Sequence, residues 1–311
     1  MSFLNIKREQ LWQWRNNYHS PYKYYNFWRD ERPEEMWFTR FIKHHFPESK
    51  RRVNFNSVLG PTELMSDKRP GVNIFYTGEN IHAPRFEAHL KRYESQHYDF
   101  SMGFDFHHKG NYMRLPLWVL WCFPPEADRK VVEDIVETMN HPNVEDRKEF
   151  CCMVCSHDES GVRGRMMDAI ERVGHVSSAG RFRYNTDALQ RNFNDDKVAF
   201  MRQYRFVICP ENADAEGYVT EKIFDSILAG CIPIYTGSGN YPEPWIINPK
   251  AVVFWDADGN HTNAVEKIKY LSSSDEDYLE FAQQPRLLPE AADLIWGMYS
   301  DLKQNLSELL K

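Results

Sequence analysis

The sequence contains no run of about 18 to 20 apolar residues, the length that a membrane-spanning helix requires. Its N-terminus, MSFLNIKREQLWQW, also lacks the apolar core of a secretory signal. These two absences predict a protein with no integral membrane segment. We therefore expect a cytoplasmic location, with peripheral attachment to a membrane as an alternative.

Positive charge is not in excess either. The 311 residues include 38 Lys and Arg against 45 Asp and Glu, which gives a formal net charge of −7. Because affinity for a phosphate backbone depends on clustered Lys and Arg, this balance argues against a nucleic-acid-binding protein. Any site for an anion must therefore be a local group of cations.

Cysteine is scarce, with six residues in the chain. Cys152 and Cys155 are spaced as in a zinc knuckle and His157 follows, but there is no second pair, and a structural zinc site requires four ligands. Most of the cysteines fall in predicted strands, where a free thiol packs as a small apolar group. We expect reduced, buried cysteines and no metal site, with zinc binding as the alternative.

The length and the alternation of patterns predict two α/β domains. A chain of 311 residues, 42% of them hydrophobic, is long enough for two cores, because a single core rarely grows beyond about 250 residues. Alternating strands and helices predict parallel sheets covered by helices. We place the boundary near residue 150, giving domains 1–150 and 151–311, with a last helix after Pro289 that can pack back on the N-terminal domain. Strands are predicted at 53–58, 72–77, 150–155, 205–209, 231–235 and 251–255, and helices at 32–46, 131–139, 164–173, 195–204, 219–229 and 263–271.

The segment from Phe206 to Asn240 is the most informative part of the chain. An apolar strand, a polar loop, an amphipathic helix and a second strand follow in order, as in half of a nucleotide-binding unit. Val219, Ile223 and Ile227 recur at intervals of four residues, which predicts a helix with one buried face. Gly230 then ends the helix.

A phenol, a carboxylate and an ammonium group lie at the start of this helix, from Tyr218, Glu221 and Lys222. Free backbone N–H groups and the helix dipole favour an anion at such a start, and a diphosphate suits it. The alternative is a solvated helix start without a ligand. In the strand that follows, Pro233 removes one backbone donor, which predicts an edge position or a bulge.

Several blocks of the sequence resemble the alpha-1,3-fucosyltransferase family. The donor-binding signature of that family is similar to Glu211-Asn212, Tyr218-Val219-Thr220-Glu221-Lys222 and the stretch from Ile232 to Gly237. Two earlier regions resemble the same family in the same order: FYTGEN at 75–80 with 98–105 and 112–117, and CCMVCSHDESGVRGRMMDAI at 151–170. The likeness extends over residues 70 to 270 and fades on either side.

The resemblance implies a GT-B fold, in which two Rossmann-like, doubly wound domains face one another across a cleft. The N-terminal domain would bind the acceptor, and the C-terminal domain would bind a GDP-sugar donor. Animal members of the family are anchored in the Golgi, so a Golgi lumen location applies only if an anchor has been removed. Otherwise the chain resembles a soluble member of the bacterial type.

The implied activity is an inverting transfer of L-fucose from GDP-beta-L-fucose to the 3-OH of GlcNAc, or of Glc, in a beta-galactoside such as N-acetyllactosamine. The product would be a Lewis antigen-type glycan. No cofactor is expected to be required, and a divalent metal would be at most stimulatory. The alternatives are a GT-B transferase for another GDP-sugar and a non-catalytic protein that binds a glycan or a nucleotide. Nothing in the sequence predicts the oligomeric state.

Arg163 and Lys222 are the cations that the resemblance assigns to the donor diphosphate. A planar guanidinium matches phosphate oxygens and an ammonium supplies a compact charge, which suits a leaving group that gains negative charge. Arg165 is the neighbouring alternative to Arg163, and the order of the family motif favours Arg163.

The same family segment places three more residues near the donor, Asn212, Tyr218 and Glu221. Glu221 is the candidate partner of the ribose, because a carboxylate can accept hydrogen bonds from both hydroxyls of a diol.

Glu79 is the candidate catalytic base, since the Thr-Gly-Glu-Asn block resembles the family segment whose Glu is proposed for that role. A general base must reach the attacking hydroxyl. His82 is the local rival because an imidazole titrates near neutral pH. In the alternative interpretation, Glu79 only binds acceptor hydroxyls.

Asp256 and Asp258 form an Asp-x-Asp pair after an apolar strand, the pattern by which GT-A enzymes hold a divalent ion. The pair comes after the donor-binding segment instead of before it, and Gly259-Asn260 follow it directly. We interpret it as a turn, with metal binding as the alternative.

Overall fold

The computed structural model describes residues 3–29, 31–107, 110–144, 147–256 and 261–311. The chain divides into two compact units, one made of the residues up to Arg129 together with Ile295–Lys311, and the other of Lys130–Leu294. This division lies at residue 129/130, whereas the sequence suggests a boundary near residue 150. The helix and loop that lead into the first strand of the second unit belong to that unit.

The first unit contains a five-stranded sheet in which each neighbouring pair is parallel, in the order β1-β2-β3-β4-β5. The strands are β1 (Tyr22–Tyr25), β2 (Val53–Asn56), β3 (Val72–Tyr76), β4 (Phe100–Gly103) and β5 (Tyr112–Arg114). The helices are α1 (Phe3–Asn17), α2 (Trp37–His45), α3 (Glu87–Glu94) and α4 (Leu117–Cys122). Short 3₁₀ turns occur at Thr62–Leu64 and Pro84–Phe86.

Aromatic side chains form much of the core of this unit. Tyr24 stacks on Phe55 with ring centroids 4.8 Å apart, and Phe38 stacks on the same ring at 5.2 Å. Aromatic pairs at this separation stabilise the fold by more than the burial of their surface alone provides. Two other aromatics are different, because Trp14 of α1 and Tyr18, which follows that helix, are each 58% exposed. The aromatic residues near the N-terminus therefore contribute to the core only in part.

The second unit contains another five-stranded parallel sheet, in the order β10-β9-β8-β6-β7. Its strands are β6 (Glu149–Met153), β7 (Val176–Ser178), β8 (Tyr204–Ile208), β9 (Ile232–Tyr235) and β10 (Val253–Phe254). Its helices are α5 (Arg129–Asn140), α6 (Val162–Ile170), α7 (Ala188–Phe193), α8 (Lys197–Met201), α9 (Glu221–Leu228), α10 (Thr262–Ser273) and α11 (Asp275–Ala282). Turns of 3₁₀ type occur at Ser238–Asn240 and Pro249–Ala251.

The central strands of this sheet are apolar because helices cover both of their faces. Phe206 and Ile208 of β8 and Ile232 and Ile234 of β9 are buried in one core. Cys151 of β6 lies in the same core, and all six cysteines are free thiols. The prediction of reduced, largely buried cysteines is confirmed.

Helix α9 follows the sequence prediction closely. Ile223 and Ile227 are fully buried or nearly so, and Glu221 with Lys222 form the first turn. Thr220 has extended backbone angles, so the helix begins at residue 221 and not at 219. Gly230 follows the last turn with φ of 73°, a left-handed conformation that costs glycine little.

The expected edge position or bulge at Pro233 is wrong. Strand β9 lies between β8 and β10, and Pro233 is in register with Val207. The carbonyl of Ile234 accepts from Cys209 on the β8 side, whereas that of Tyr235 accepts from Trp255 on the β10 side. The backbone groups of successive residues point to opposite sides of a strand, so those of Pro233 point toward β10. The pairing of β9 with β10 begins one residue later, at Ile234. No hydrogen bond to β8 is therefore lost.

The last helix, α12 (Ala291–Leu309), begins two residues after Pro289. Its later part belongs to the first unit, where the Tyr299 hydroxyl donates to the carbonyl of Pro124 at 2.7 Å. The chain end is fixed in the same unit, since Ser49 Oγ donates to the carbonyl of Leu310 at 2.9 Å. Throughout the described ranges, no helix has both the length and the apolar character needed to cross a bilayer.

Candidate functional site

The carboxyl ends of β6 and β8 in the second unit border a cavity of about 210 Å³. The two strands are neighbours in the sheet, so the loops that follow them lie side by side. The loop after β6 contributes His157, and the first turn of α6 contributes Arg163. Asn212 from the loop after β8 and Lys222 from α9 also line the cavity.

Arg163 is held firmly at this cavity, with only 4% of its surface exposed. Its guanidinium donates to the carbonyl of His157 and to Asn212 Oδ1, the latter at 2.6 Å. The carboxylate of Asp158 accepts from the backbone N–H groups of Arg163 at 3.1 Å and of Gly164 at 2.8 Å. The start of α6 thus already has an anionic partner, and the cation offered to the cavity is the guanidinium.

Arg165, the neighbouring alternative, lies elsewhere. Its side chain is exposed and donates to the carbonyl of Ser160 at 3.4 Å. The cavity is lined by Arg163 and not by Arg165.

Lys222 is fixed by a carboxylate to which the sequence assigned no role. Glu211 has a side chain with no exposed surface, and its Oε2 lies 3.3 Å from Lys222 Nζ. Glu211 also accepts from the backbone N–H of Thr220 at 2.8 Å and from its hydroxyl at 2.7 Å. The Thr220 hydroxyl in turn accepts from Lys222 Nζ at 2.8 Å. This chain of contacts fixes both the start of α9 and the position of the ammonium group.

The charge state of Lys222 follows from its surroundings. Burial acts to lower the pKa of Lys222, but the carboxylates of Glu211 and Glu221 outweigh it, so that the pKa is raised above its usual value. Burial also raises the pKa of Glu211. The side chain of Lys222 is 22% exposed, which leaves part of the ammonium group able to meet a ligand.

Of the other residues assigned to the donor, some line the cavity and one does not. Glu221 lines the cavity, and its Oε1 lies 3.7 Å from Lys222 Nζ. Tyr218 is 2% exposed and is not among the residues that line the cavity. The structure thus brings together Arg163, Asn212, Glu221 and Lys222.

A second cavity of about 730 Å³ adjoins the first at the end of β6. Both cavities are lined by Val154 and Ser156. The larger one is also lined by Arg181 and Tyr184, which follow β7. An elongated ligand can therefore occupy both spaces within this unit.

Glu79 belongs to the first unit and follows β3. Its backbone N–H donates to Thr77 Oγ1 at 3.0 Å, and its carboxylate accepts from Arg85 at 3.0 Å. The side chain is 24% exposed. The local rival, His82, contacts Asp105 at 2.9 Å. Each of the two candidate bases is therefore oriented by a charged partner of its own.

Metal ligation has limited structural support. Within the described ranges, no three side chains of His, Cys, Asp or Glu are grouped so that they could hold a metal ion. Asp256 is exposed, and Asp258 lies outside the described residues.

Gly180 packs closely against the backbone of the loop after β6. A Cβ atom at this position would lie 1.9 Å from the carbonyl oxygen of Cys155. Gly180→Ala is therefore expected to lower the free energy of unfolding by about 1 to 3 kcal/mol, as is usual for overpacking. Gly297→Ala is the matched control, because a Cβ there meets no atom within 4 Å and alanine favours a helix. In thermal unfolding, an unchanged midpoint for Gly180→Ala would contradict this expectation.

Two family models match the chain in sequence order. The alpha-(1,3)-fucosyltransferase FucT N-terminal domain matches residues 22–121, and the C-terminal model of glycosyltransferase family 10 (fucosyltransferase) matches residues 144–286. A curated relative, the alpha-(1,3)-fucosyltransferase FucT of Helicobacter pylori, is 25% identical over 291 residues, which cover 82% of this chain and 58% of the relative. The chain thus spans little more than half of that relative's length.

Solved structures establish the fold. A crystal structure of an alpha1,3-fucosyltransferase aligns with a TM-score of 0.60 at 22% identity, covering 94% of this chain and 93% of that one. Another, of an alpha1,3-fucosyltransferase with GDP-fucose, aligns with a TM-score of 0.58 at 21% identity, covering 90% of this chain and 89% of that one. Together with the two parallel sheets, these matches confirm the predicted GT-B class. The chain belongs to glycosyltransferase family 10, the fucosyltransferases.

Proposed function

We propose that the protein is an inverting alpha-1,3-fucosyltransferase that moves L-fucose from GDP-beta-L-fucose to the 3-OH of GlcNAc, or of Glc, in a beta-galactoside. N-acetyllactosamine is the acceptor that we propose first, with a Lewis antigen-type product. The observation that carries the proposal is the pair of cations, Arg163 and Lys222, which come from different helices and line one cavity. Family membership supports the choice of donor and reaction.

The donor diphosphate is the ligand that the two cations fit best. As the bond to the sugar breaks, negative charge grows on the diphosphate, and cations already in place stabilise it without reorganisation. The cavity of about 210 Å³ is small for a whole sugar nucleotide, since ligand sites usually exceed about 300 Å³. The adjoining space of about 730 Å³ offers room for the rest of the donor.

The remaining polar residues orient the donor in this proposal. Glu221 accepts hydrogen bonds from the ribose hydroxyls, and Asn212 holds the guanidinium of Arg163. Tyr218, whose side chain is buried, acts by supporting the loop that leads into α9.

Glu79 is the proposed base. The acceptor oxygen attacks C1 of fucose on the face opposite to the diphosphate, and the C1–O bond to phosphate breaks as the new bond forms. The electron pair of that bond leaves with GDP, and the carboxylate of Glu79 takes the proton from the acceptor hydroxyl. The beta linkage of the donor thereby becomes an alpha linkage in the product.

A donor and acceptor screen tests the proposal. Isothermal titration with GDP, GDP-fucose and GDP-mannose identifies the donor, and product analysis on N-acetyllactosamine detects transfer. We expect GDP-fucose to bind and to be turned over. Binding without turnover would favour the non-catalytic alternative, and turnover of GDP-mannose would favour another GDP-sugar. No binding of GDP would exclude both transferase functions.

We further propose that turnover requires no divalent metal, because the guanidinium and the ammonium supply the positive charge that a metal ion provides elsewhere. Activity in excess chelator is expected to stay within about twofold of the activity with added Mg²⁺ or Mn²⁺. Loss of activity in chelator that returns with added metal would contradict this part of the proposal.

The raised pKa of Lys222 leads to a prediction about pH. A lysine whose folded-state pKa lies above 10.5 stays protonated through the neutral and moderately alkaline range, and its contribution is lost only as the pH rises through that folded value. We therefore expect the ratio of GDP affinities between the parent and Lys222→Met to stay constant from pH 7.5 to about 10. A fall in this ratio centred below pH 10.5 would show that the ammonium is not held as described.

A further inference from the structure

The first unit has a cavity of about 770 Å³ beside helix α1, and none of the residues proposed for the donor or for the base lines it. Leu11 and Trp14 of α1 line it, three residues apart and therefore on one helix face, together with Tyr18, which follows the helix directly. These three side chains are 49%, 58% and 58% exposed. A concave, exposed aromatic surface of this kind is typical of a binding site and not of a core face.

The aromatic side chains of the cavity suit the apolar faces of sugar rings. The rings of Trp14 and Tyr18 are 5.1 Å apart with an interplanar angle of 62°, so together they present both a face and an edge. Tyr25 also lines the cavity, with the guanidinium of Arg69 3.5 Å from its ring centroid. Rings with a polar atom at one end can contact both the C–H groups and the hydroxyls of a sugar.

The charged side chains of the lining are all cations, from Lys7, Lys23 and Arg69, although the whole chain carries a net charge of −7. Lys23 is fixed by donating to the carbonyl of Asn17 at 2.8 Å. Arg69 is fixed by donating to Asn56 Oδ1 at 2.7 Å. Such local concentration of positive charge favours an anionic ligand.

Glu9, the acidic residue of α1, does not neutralise these cations. Glu9 is 8% exposed and is paired with Arg29 and with the amide nitrogen of Gln13. Gln13 lines the cavity and is 2% exposed, and its Oε1 has no hydrogen-bond partner in the portion of the chain that the structure describes. An acceptor in that state favours a ligand that brings hydroxyl donors.

We propose that this cavity binds a saccharide that carries a negative charge. The hydroxyls and ring faces of a sugar match Gln13 and the aromatic pair, and a carboxylate or phosphate on the sugar matches the three cations. Helix α1 precedes residue 22, where the match to the N-terminal family domain begins, so the cavity is built largely from residues outside the matched regions. Its concave shape favours a saccharide over a flat membrane surface.

Isothermal titration with sialyllactose, trigalacturonate, glucose 6-phosphate and lactose tests the proposal. The first two probes carry carboxylates, the third carries a phosphate, and lactose is neutral. We expect at least one charged probe to bind about tenfold more tightly than lactose. The source of the charge is identified by which probe binds. Equal binding of all four, or no binding, would overturn the proposal.

Matched variants locate the binding. Trp14→Ala is expected to weaken the binding of the charged probe about tenfold. Lys23→Gln is expected to weaken it several-fold, which is the effect of losing roughly one hydrogen bond from a charged group. Trp121→Ala, which removes a tryptophan 59% exposed elsewhere in the unit, and Lys50→Gln should bind as the parent does. If the two sets of variants behave alike, the probe binds elsewhere and the proposal fails.

Two further measurements separate this site from the alternatives. Titration of Trp14→Ala with GDP should match the parent, so a failure of donor binding in the parent would not be confused with a failure of this site. Sedimentation with vesicles of phosphatidylcholine and phosphatidylserine tests a membrane surface. Vesicle binding that Trp14→Ala removes, without binding of any saccharide, would overturn the proposal in favour of a lipid contact.

Discussion

Lys222→Met is expected to weaken the binding of GDP by about 10- to 100-fold, because a hydrogen bond to a charged group contributes about 1.5 to 3 kcal/mol. The ammonium group reaches the cavity that Arg163 and Lys197 also line, and the substitution removes its positive charge from that lining. Methionine retains the length and the apolar character of the side chain. Isothermal titration with GDP, and with guanosine as a ligand that lacks the diphosphate, measures the effect.

Loss of the ion pair complicates this variant, since the buried carboxylate of Glu211 would lose its cation. Breaking a buried pair costs about 3 to 5 kcal/mol of stability. The double variant Lys222→Met/Glu211→Gln removes the charge and leaves an amide that can still accept from Thr220. We expect the double variant to recover most of the stability and none of the affinity for GDP. Recovery of GDP affinity in the double variant would show that Lys222 acts only by stabilising the fold.

Glu79→Gln is expected to lower kcat by about 10² to 10⁴, the usual contribution of a general base, with GDP affinity unchanged. Glutamine keeps an oxygen that can accept from Arg85, so the loop after β3 is expected to retain its structure. Initial rates with GDP-fucose and N-acetyllactosamine, together with titration of GDP, measure the effect.

The controls for this prediction address the two alternatives. If Glu79 only binds acceptor hydroxyls, the glutamine variant raises KM for the acceptor and spares kcat. If His82 is the base, His82→Gln shows the large loss in kcat and Glu79→Gln does not. We expect kcat of His82→Gln to stay within about tenfold of the parent value, because the imidazole of His82 is already engaged in a contact with Asp105.

The sequence predicted β2, β3, β6, β8, β9 and β10 and missed β1, β4, β5 and β7. β2, β3 and β8 were expected because Val, Ile and Phe recur in them, and β6 because Phe, Cys and Met do. β4, with the sequence FSMG, and β7, with the sequence VSS, have too few apolar residues for a local pattern. Their partners in the sheet, which sequence neighbours do not reveal, determine that they are strands.

Helix α1 was missed for a different reason. Leu4, Leu11 and Trp14 place apolar residues on its exposed side, so the buried and exposed faces are not distinct in the sequence. Among the aromatics near the N-terminus, Tyr24 and Phe38 lie in the core, whereas Trp14 and Tyr18 are exposed.

The cavity that Arg163 and Lys222 share could be anticipated because carboxyl ends of parallel strands meet at one edge of a sheet. The role of Glu211 could not. A carboxylate beside a proline in a polar loop has the local features of a surface residue, and only the tertiary structure brings Thr220 and Lys222 to it. The same holds for Asp158, whose contacts with the start of α6 depend on the conformation of the loop.

A crystal structure of the protein with GDP is the most direct test of the shared diphosphate site. We predict phosphate oxygens within about 3.2 Å of a guanidinium nitrogen of Arg163 and of Lys222 Nζ in the same complex. A diphosphate that contacts neither side chain, or that lies outside the cavity at the ends of β6 and β8, would contradict the proposed donor site.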